Sequence, residues 1–224
     1  MIETNSIKNY YLQGTHFVNS DHPSVIEYAS AIVKEETEPK KKAILLFYHI
    51  RDAFRYNPYN INANMKATDV LKRDYGHCVD KACLLAACGR AVGIPSRLGF
   101  GTVKNHIGTS KLEEVLGTNV LAFHGYAEFY LDNKWVKATP AFNKELCEKL
   151  KVAPLEFDGE QDCLFQEYDQ KDGKFMEYLA DYGQFDDIPL DLFIETMKKY
   201  YPHLFNQAVQ QEGAFELGDL SVVF

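Results

Sequence analysis

The stretch Asp74-Tyr75-Gly76-His77-Cys78-Val79-Asp80-Lys81-Ala82-Cys83-Leu84-Leu85-Ala86-Ala87-Cys88-Gly89-Arg90-Ala91-Val92-Gly93-Ile94-Pro95 decides the reading of this chain. Alanine and leucine give it high helix propensity from about Val79 to Val92. Gly93 is placed to end the helix as a left-handed residue, with Pro95 two positions beyond it. So few positions are polar that the helix is expected in the middle of the fold, covered on all sides. Cys78 falls at its N-terminus. There the unpaired backbone N–H groups and the helix dipole favour a thiolate over a thiol. The same N–H groups are suited to holding the oxyanion of a tetrahedral intermediate. A buried structural cysteine satisfies the same position. Cys83 and Cys88, five residues apart along the apolar helix, read as such small hydrophobes.

Working toward the N-terminus, residues 56–62 read as a loop rich in Asn and Pro, and a short helix is expected over Ala67 to Lys72. A helix over about Pro39 to Tyr56 places 43, 46, 47, 50 and 54 on one apolar face. An earlier one starts after Asp21 at Pro23, with Val25, Ile26, Ala29 and Ile32 at helical spacing. Residues 1–22 read as an irregular lead-in. Working toward the C-terminus, Arg97 to Val103 reads as a strand and 104–119 as a polar, glycine-containing insertion. Two strands, about 123–131 and 134–142, join at Asp132-Asn133. A further hairpin is expected from 164–168 and 174–178, turning at 169–173. Pro189 opens a last helix that Pro202 ends or kinks. Helices come first and strands later, which argues an α+β fold around one core, residues 1–224 forming a single domain.

A cysteine nucleophile needs a base, usually a histidine, and the base needs an orienting partner. Of the seven histidines, His77 is adjacent to Cys78, but neighbours at i and i+1 do not face each other on a helix. His16, His22 and His203 read as surface residues, His49 as a helix residue, and His106 opens the insertion. His124 begins a strand. If Asp132-Asn133 is the turn, paired residue numbers sum to 265, so 139 opposes 126 and 143 opposes 122. Thr139 and Asn143 then share the face of His124, each one diagonal step away, and either could accept an imidazole N–H. Pro140 lies between them and disturbs the ladder beyond Thr139. His124 and Thr139 as ordinary polar residues of a half-exposed sheet fit the same spacing.

Composition narrows the function classes. Of 224 residues, 46% are hydrophobic and 25% charged, ordinary globular values that exclude disorder and collagen-like fibre. Asp plus Glu number 32 against 24 Lys plus Arg, a net charge of −8 with no basic run beyond Lys40-Lys41-Lys42, which argues against nucleic acid as partner. The longest apolar run, Ala43 to Phe47, is far short of the roughly 20 residues of a membrane span, and the start has no secretory pattern. Five cysteines without a CxxC pair read as reduced thiols, so a cytoplasmic location is expected. The cysteines and histidines lack zinc spacing, 169–173 lacks the acids of a calcium loop, and Gly99-Phe100-Gly101 lacks a following Lys-Ser or Lys-Thr. No metal or cofactor is expected. Tyr56, Tyr59, Tyr75 and Tyr126 flank the proposed site and either line a groove or pack the core, the core being the commoner place for any one of them.

Two groups of residues together resemble the transglutaminase-like superfamily, the papain-related cysteine acyl-transfer enzymes. The first is Gly76-His77-Cys78, the alanine-rich helix, and Gly93-Ile94-Pro95-Ser96-Arg97. The second is His124-Gly125-Tyr126-Ala127-Glu128, then Lys134-Trp135-Val136-Lys137-Ala138-Thr139-Pro140. The resemblance covers about residues 25–145, and residues 150–190 resemble a bacterial subgroup of unsettled substrate. It implies a papain-like core in which a buried central helix packs on an antiparallel sheet, with 146–224 as an extension on the same core. It makes Cys78 the nucleophile and His124 the base. Where the family usually has aspartate, fifteen residues after the histidine, this chain has Thr139. A threonine hydroxyl can fix the imidazole tautomer but cannot stabilise imidazolium by charge. Asn143, Asp158 and Asp162 are the other candidates for that role. The implied activity is hydrolysis of an amide in a peptide, a protein or a small molecule. A catalytically inactive fold that binds a protein or peptide, and amine cross-linking of protein glutamine, are the alternatives.

Overall fold

The computed structural model describes residues 9–59, 66–106, 110–165 and 175–205. In chain order the helices are α1 (Pro23–Val33), α2 (Pro39–Ala53), α3 (Ala67–Val70), α4 (Cys78–Ala91), α5 (Ser110–Leu116), α6 (Lys144–Leu150), α7 (Leu190–Tyr200) and α8 (Pro202–Phe205). The strands are β1 (Arg55–Tyr56), β2 (Tyr75–Gly76), β3 (Ser96–Asn105), β4 (Val120–Leu131), β5 (Lys134–Ala138) and β6 (Met176–Phe185). The fold is α+β. Four strands form an antiparallel sheet in the order β5-β4-β3-β6, and β1 pairs with β2 in a separate parallel ribbon.

Helix α4 is the centre. Every residue from Cys78 to Arg90 is buried, as its near-absence of polar positions requires. It lies against β4 and β3, with α1, α2 and α3 packed around it. Gly93 ends it at φ +85°, the left-handed conformation that glycine adopts without a Cβ penalty. Its two buried basic side chains are bonded to backbone. Lys81 Nζ donates to Arg51 O at 2.8 Å, Phe54 O at 2.7 Å and Ala141 O at 2.9 Å. Arg90 donates to the carbonyls of Ser96, Gln13 and Asp186. Lys81 therefore ties the end of α2 and the segment after β5 to one turn of α4.

The β4–β5 register sums to 265 at every pair, from Leu131 with Lys134 to Ala127 with Ala138. Asp132 and Asn133 turn at φ 46° and 66°, the positive values a two-residue hairpin loop needs. The ladder stops at Ala138, because Thr139 N donates instead to Cys163 O at 2.9 Å. The strand expected over 134–142 is thus shorter. Other boundaries also move. Helix α2 stops at Ala53, and Tyr56 belongs to β1. In α1 the buried face is Val25, Ala29 and Val33, while Ile26 is exposed. The 104–119 stretch holds the end of β3 and helix α5, and β4 starts at Val120. The expected 164–178 hairpin falls largely on residues 166–174, outside the described ones. Its second arm is a longer strand, β6, that pairs with β3.

Candidate active site

Cys78 is the first residue of α4, with His77 as N-cap in an extended conformation. Asp80, three residues on, accepts the His77 backbone N–H at 3.0 Å and so satisfies one of the helix's free donors. The β1–β2 ribbon, closed by Arg55 N to Asp74 O and Asn57 N to Gly76 O, sets Tyr56 beside Gly76 and the start of the helix.

His124 arrives from the sheet. It lies inside β4, not at its start, beside a bulge. Gly101 pairs with His124 and Val103 with Leu121, so Ala122 and Phe123 oppose Thr102 alone. Phe123 takes φ 57°, uncommon for a bulky residue, and its ring is held by a stack on Phe100 at 4.4 Å and an edge contact with Phe193 at 5.2 Å. The Ala122 N–H donates to Tyr201 Oη at 2.7 Å, and Tyr201 donates on to Val120 O at 2.8 Å. Bulges of this kind re-aim a side chain. Immediately after it comes Gly125, where a Cβ would lie 2.9 Å from Val79 Cα. Only glycine lets the strand backbone approach the helix end this closely.

One cleft is lined by Tyr56, His77, Cys78 and His124, with Pro58, Leu112 and Leu116 of α5, Leu121 to Phe123, and Phe193, Met197 and Tyr201. Cys78 is 8% exposed and His124 3%. Burial raises the Cys78 thiol to about 11, against backbone N–H groups of Gly125, Val79 and Cys78 itself that favour the anion. Burial, with the nearby His77 adding to it, lowers His124 to about 4. The resting site is therefore a neutral thiol beside a neutral imidazole, in contrast to the thiolate that helix position alone implies. Burial outweighs the helix N-terminus here.

Behind His124 a second, small cavity is lined by His124, Thr139, Ala141, Phe142, Leu155, Leu164, Phe165 and Met176. Thr139 is thus brought to the histidine. Among the described residues, neither ring nitrogen of His124 nor Thr139 Oγ1 has a hydrogen-bond partner. Asn143 is not brought there. It is the N-cap of α6, and its Oδ1 accepts from Tyr56 N at 3.0 Å. Asp158 Oδ1 accepts from Glu160 N and Gln161 N, and Asp162 Oδ1 from Lys137 N. Neither acid lines the cavity behind His124.

The remaining residues of the two sequence groups do structural work. Arg97 donates to Glu128 through Nε and lies within 2.6 Å of it through Nη2, and its guanidinium stacks on Trp135 at 4.0 Å. That assembly joins β3, β4 and β5. One residue of the cleft is not expected from the sequence. His77 reads as a helical neighbour of Cys78, but an N-cap is extended, and its ring lines the same cleft with Nδ1 2.6 Å from Asp80 Oδ2. Tyr56 packs against the core and also lines the cleft, and burial first, then the nearby Cys78, raises its phenol well above the ordinary value.

The family model described as the transglutaminase-like superfamily matches residues 26–140, just over half of the chain. The chain belongs to the transglutaminase-like superfamily. Cysteine-dependent acyl transfer is the general chemistry of that fold, and the match spans both Cys78 and His124. No curated protein matches the chain. Among solved structures it is similar to a proposed cysteine protease from Cytophaga hutchinsonii, at 16% identity and TM-score 0.48, over 78% of this chain and 53% of that one. It is also similar to the periplasmic domain of TgpA from Pseudomonas aeruginosa, at 18% identity and TM-score 0.45, over 61% of this chain and 47% of that one. The chain therefore spans about half the length of these two structures. Among the described residues, no helix is long and apolar enough to cross a membrane.

Proposed function

We propose that this superfamily member is a thiol hydrolase of amide bonds, with Cys78 as nucleophile and His124 as base. The observation that carries the reading is the convergence of a helix N-terminal cysteine and a bulge-aimed histidine on one cleft. Because both groups are neutral at rest, proton transfer accompanies attack. Sγ bonds to the substrate carbonyl carbon as His124 takes the thiol proton. The C–N bond then breaks, and the imidazolium gives its proton to the departing amine. Water attacks the thioester, His124 takes its proton, and the acid and the thiol are released. The backbone N–H groups at the start of α4 are the available oxyanion donors. Thr139, which lines the cavity behind His124, is the residue we assign to orient the ring.

Water is preferred as acceptor because no lysine or acidic pair lines the described cleft to receive a protein amine. The threonine in place of an acid favours a second reading, a non-catalytic cleft that binds a peptide. A panel of fluorogenic peptide amides separates the two. Turnover by the wild type that Cys78→Ser reduces at least 1,000-fold supports the enzyme, on the order expected for loss of a nucleophile. Turnover that survives Cys78→Ser rules this mechanism out. Incorporation of a labelled primary amine into a glutamine-containing protein would show cross-linking instead.

A further inference from the structure

Three separate elements supply apolar side chains to the cleft at Cys78: Leu112 and Leu116 from α5, Leu121 from β4, and Phe193 and Met197 from α7. Helix α7 is strongly two-faced. Asp191, Glu195, Lys198 and Lys199 are exposed on its outer side, while Phe193 and Met197 are buried toward the cleft. No Asp, Glu, Lys or Arg is among the described lining residues. The Tyr201 hydroxyl, which faces the same region, is occupied on both sides by Ala122 N and Val120 O. A carboxylate or ammonium entering here would lose its water with no Asp, Glu, Lys or Arg among the described lining residues to pair with, whereas an apolar group gains by burial.

We propose that this cleft receives the acyl part of the substrate and selects an uncharged apolar group there. Cys78 lines the cleft, and the acyl part stays bonded to Sγ while the amine departs. The wall therefore contacts it through both half-reactions and acts on their transition states. Helix α5, within a stretch whose sequence reads as a polar insertion, becomes a specificity element. The proposal rests on the acyl-transfer reading of Cys78.

The test compares p-nitrophenyl valerate with mono-p-nitrophenyl glutarate, which carry acyl chains of equal carbon count, one neutral and one anionic. In either reaction Sγ bonds to the carbonyl carbon, p-nitrophenolate leaves, and the thiol proton passes to His124. Acylation of Cys78 in the full chain is followed by peptide mass mapping. Each rate is divided by that of a free thiol, which removes the difference in ester reactivity. The valeryl group is expected to transfer at least about tenfold faster, a modest discrimination for a desolvated carboxylate. Leu121→Lys, at a half-buried position of β4, and Leu116→Lys on α5 are expected to cut that preference at least about fivefold in protein shown folded by circular dichroism. Equal normalised rates in the wild type overturn the inference without any variant. A preference unchanged in both folded variants overturns the assignment of these walls. Failure of both esters to acylate Cys78 overturns the acyl-transfer reading, and this inference with it.

Discussion

At the scale of single residues, position 139 holds a threonine where the resemblance implies an acid. A threonine offers a hydrogen-bond partner but no charge. With both Cys78 and His124 held neutral by burial, no ion pair needs a carboxylate at rest. The role proposed for Thr139 is to accept an N–H of the ring as it becomes charged and so hold its orientation. Thr139→Val keeps the shape and removes the hydroxyl. Its Oγ1 makes no bond to the described residues, so stability is expected to change by less than about 1 kcal/mol by urea unfolding. Acyl transfer is expected to fall about tenfold, the equivalent of one net hydrogen bond. Unchanged acyl transfer would remove Thr139 from the mechanism. The helix start at Cys78 and the shared face of His124 and Thr139 are legible from residue type and spacing; the roles given to them come from the resemblance. The protonation states are not legible, because the helix N-terminus is visible in sequence and the extent of burial is not. His77 reads as a helical neighbour in sequence, because the extended backbone of a cap is not visible there.

At the scale of elements, what places His124 is a close approach that sequence shows only as a glycine. Gly125 lets β4 lie on the first turn of α4, and the bulge at Ala122-Phe123 sets the histidine's direction. Gly125→Ala would put a Cβ 2.9 Å from the Val79 Cα, which belongs to backbone and cannot swing away. The variant is expected to lose roughly 2 kcal/mol of stability, a typical overpacking cost. It is also expected to lose about 100-fold in acyl transfer, since a shift near 1 Å at a reacting group has that effect. A fully active Gly125→Ala would show that this contact does not position the site. The hairpin register was readable to the residue, because the Asp132-Asn133 turn and period-two alternation leave one solution. The bulge was not. It depends on Tyr201 accepting the freed Ala122 N–H from 79 residues away in sequence.

At the scale of the whole molecule, the core is organised around α4, and its burial has a cost that pH can reveal. His124 binds its proton near pH 4 in the folded chain and near 6.5 when unfolded. Between those values the unfolded state takes up the proton that the folded state refuses. Stability from this group is therefore complete above pH 6.5 and is lost as pH falls toward 4. The loss between pH 7 and 4.5 is expected to be about 2.5 kcal/mol by urea unfolding. His124→Gln is expected to show that much less acid sensitivity, and equal sensitivity in the two proteins would contradict a buried neutral imidazole. The central helix follows from composition and pattern in a single stretch, and the fold class from the order of helices and strands along the chain. The cleft walls do not, because α5 and α7 come from segments that look polar or peripheral until the sheet brings them to Cys78.

The pairing of Cys78 with His124 is tested most directly by the pH dependence of Cys78 acylation by p-nitrophenyl valerate, wild type against His124→Ala. With a neutral histidine as base, the wild-type rate is expected to be nearly flat from about pH 6 to 9 and to fall as His124 is protonated toward pH 4. The variant is expected to be about 100-fold slower at pH 7 and to rise tenfold per pH unit toward the thiol's value of about 11. The same rate and the same profile in both proteins would contradict the pairing.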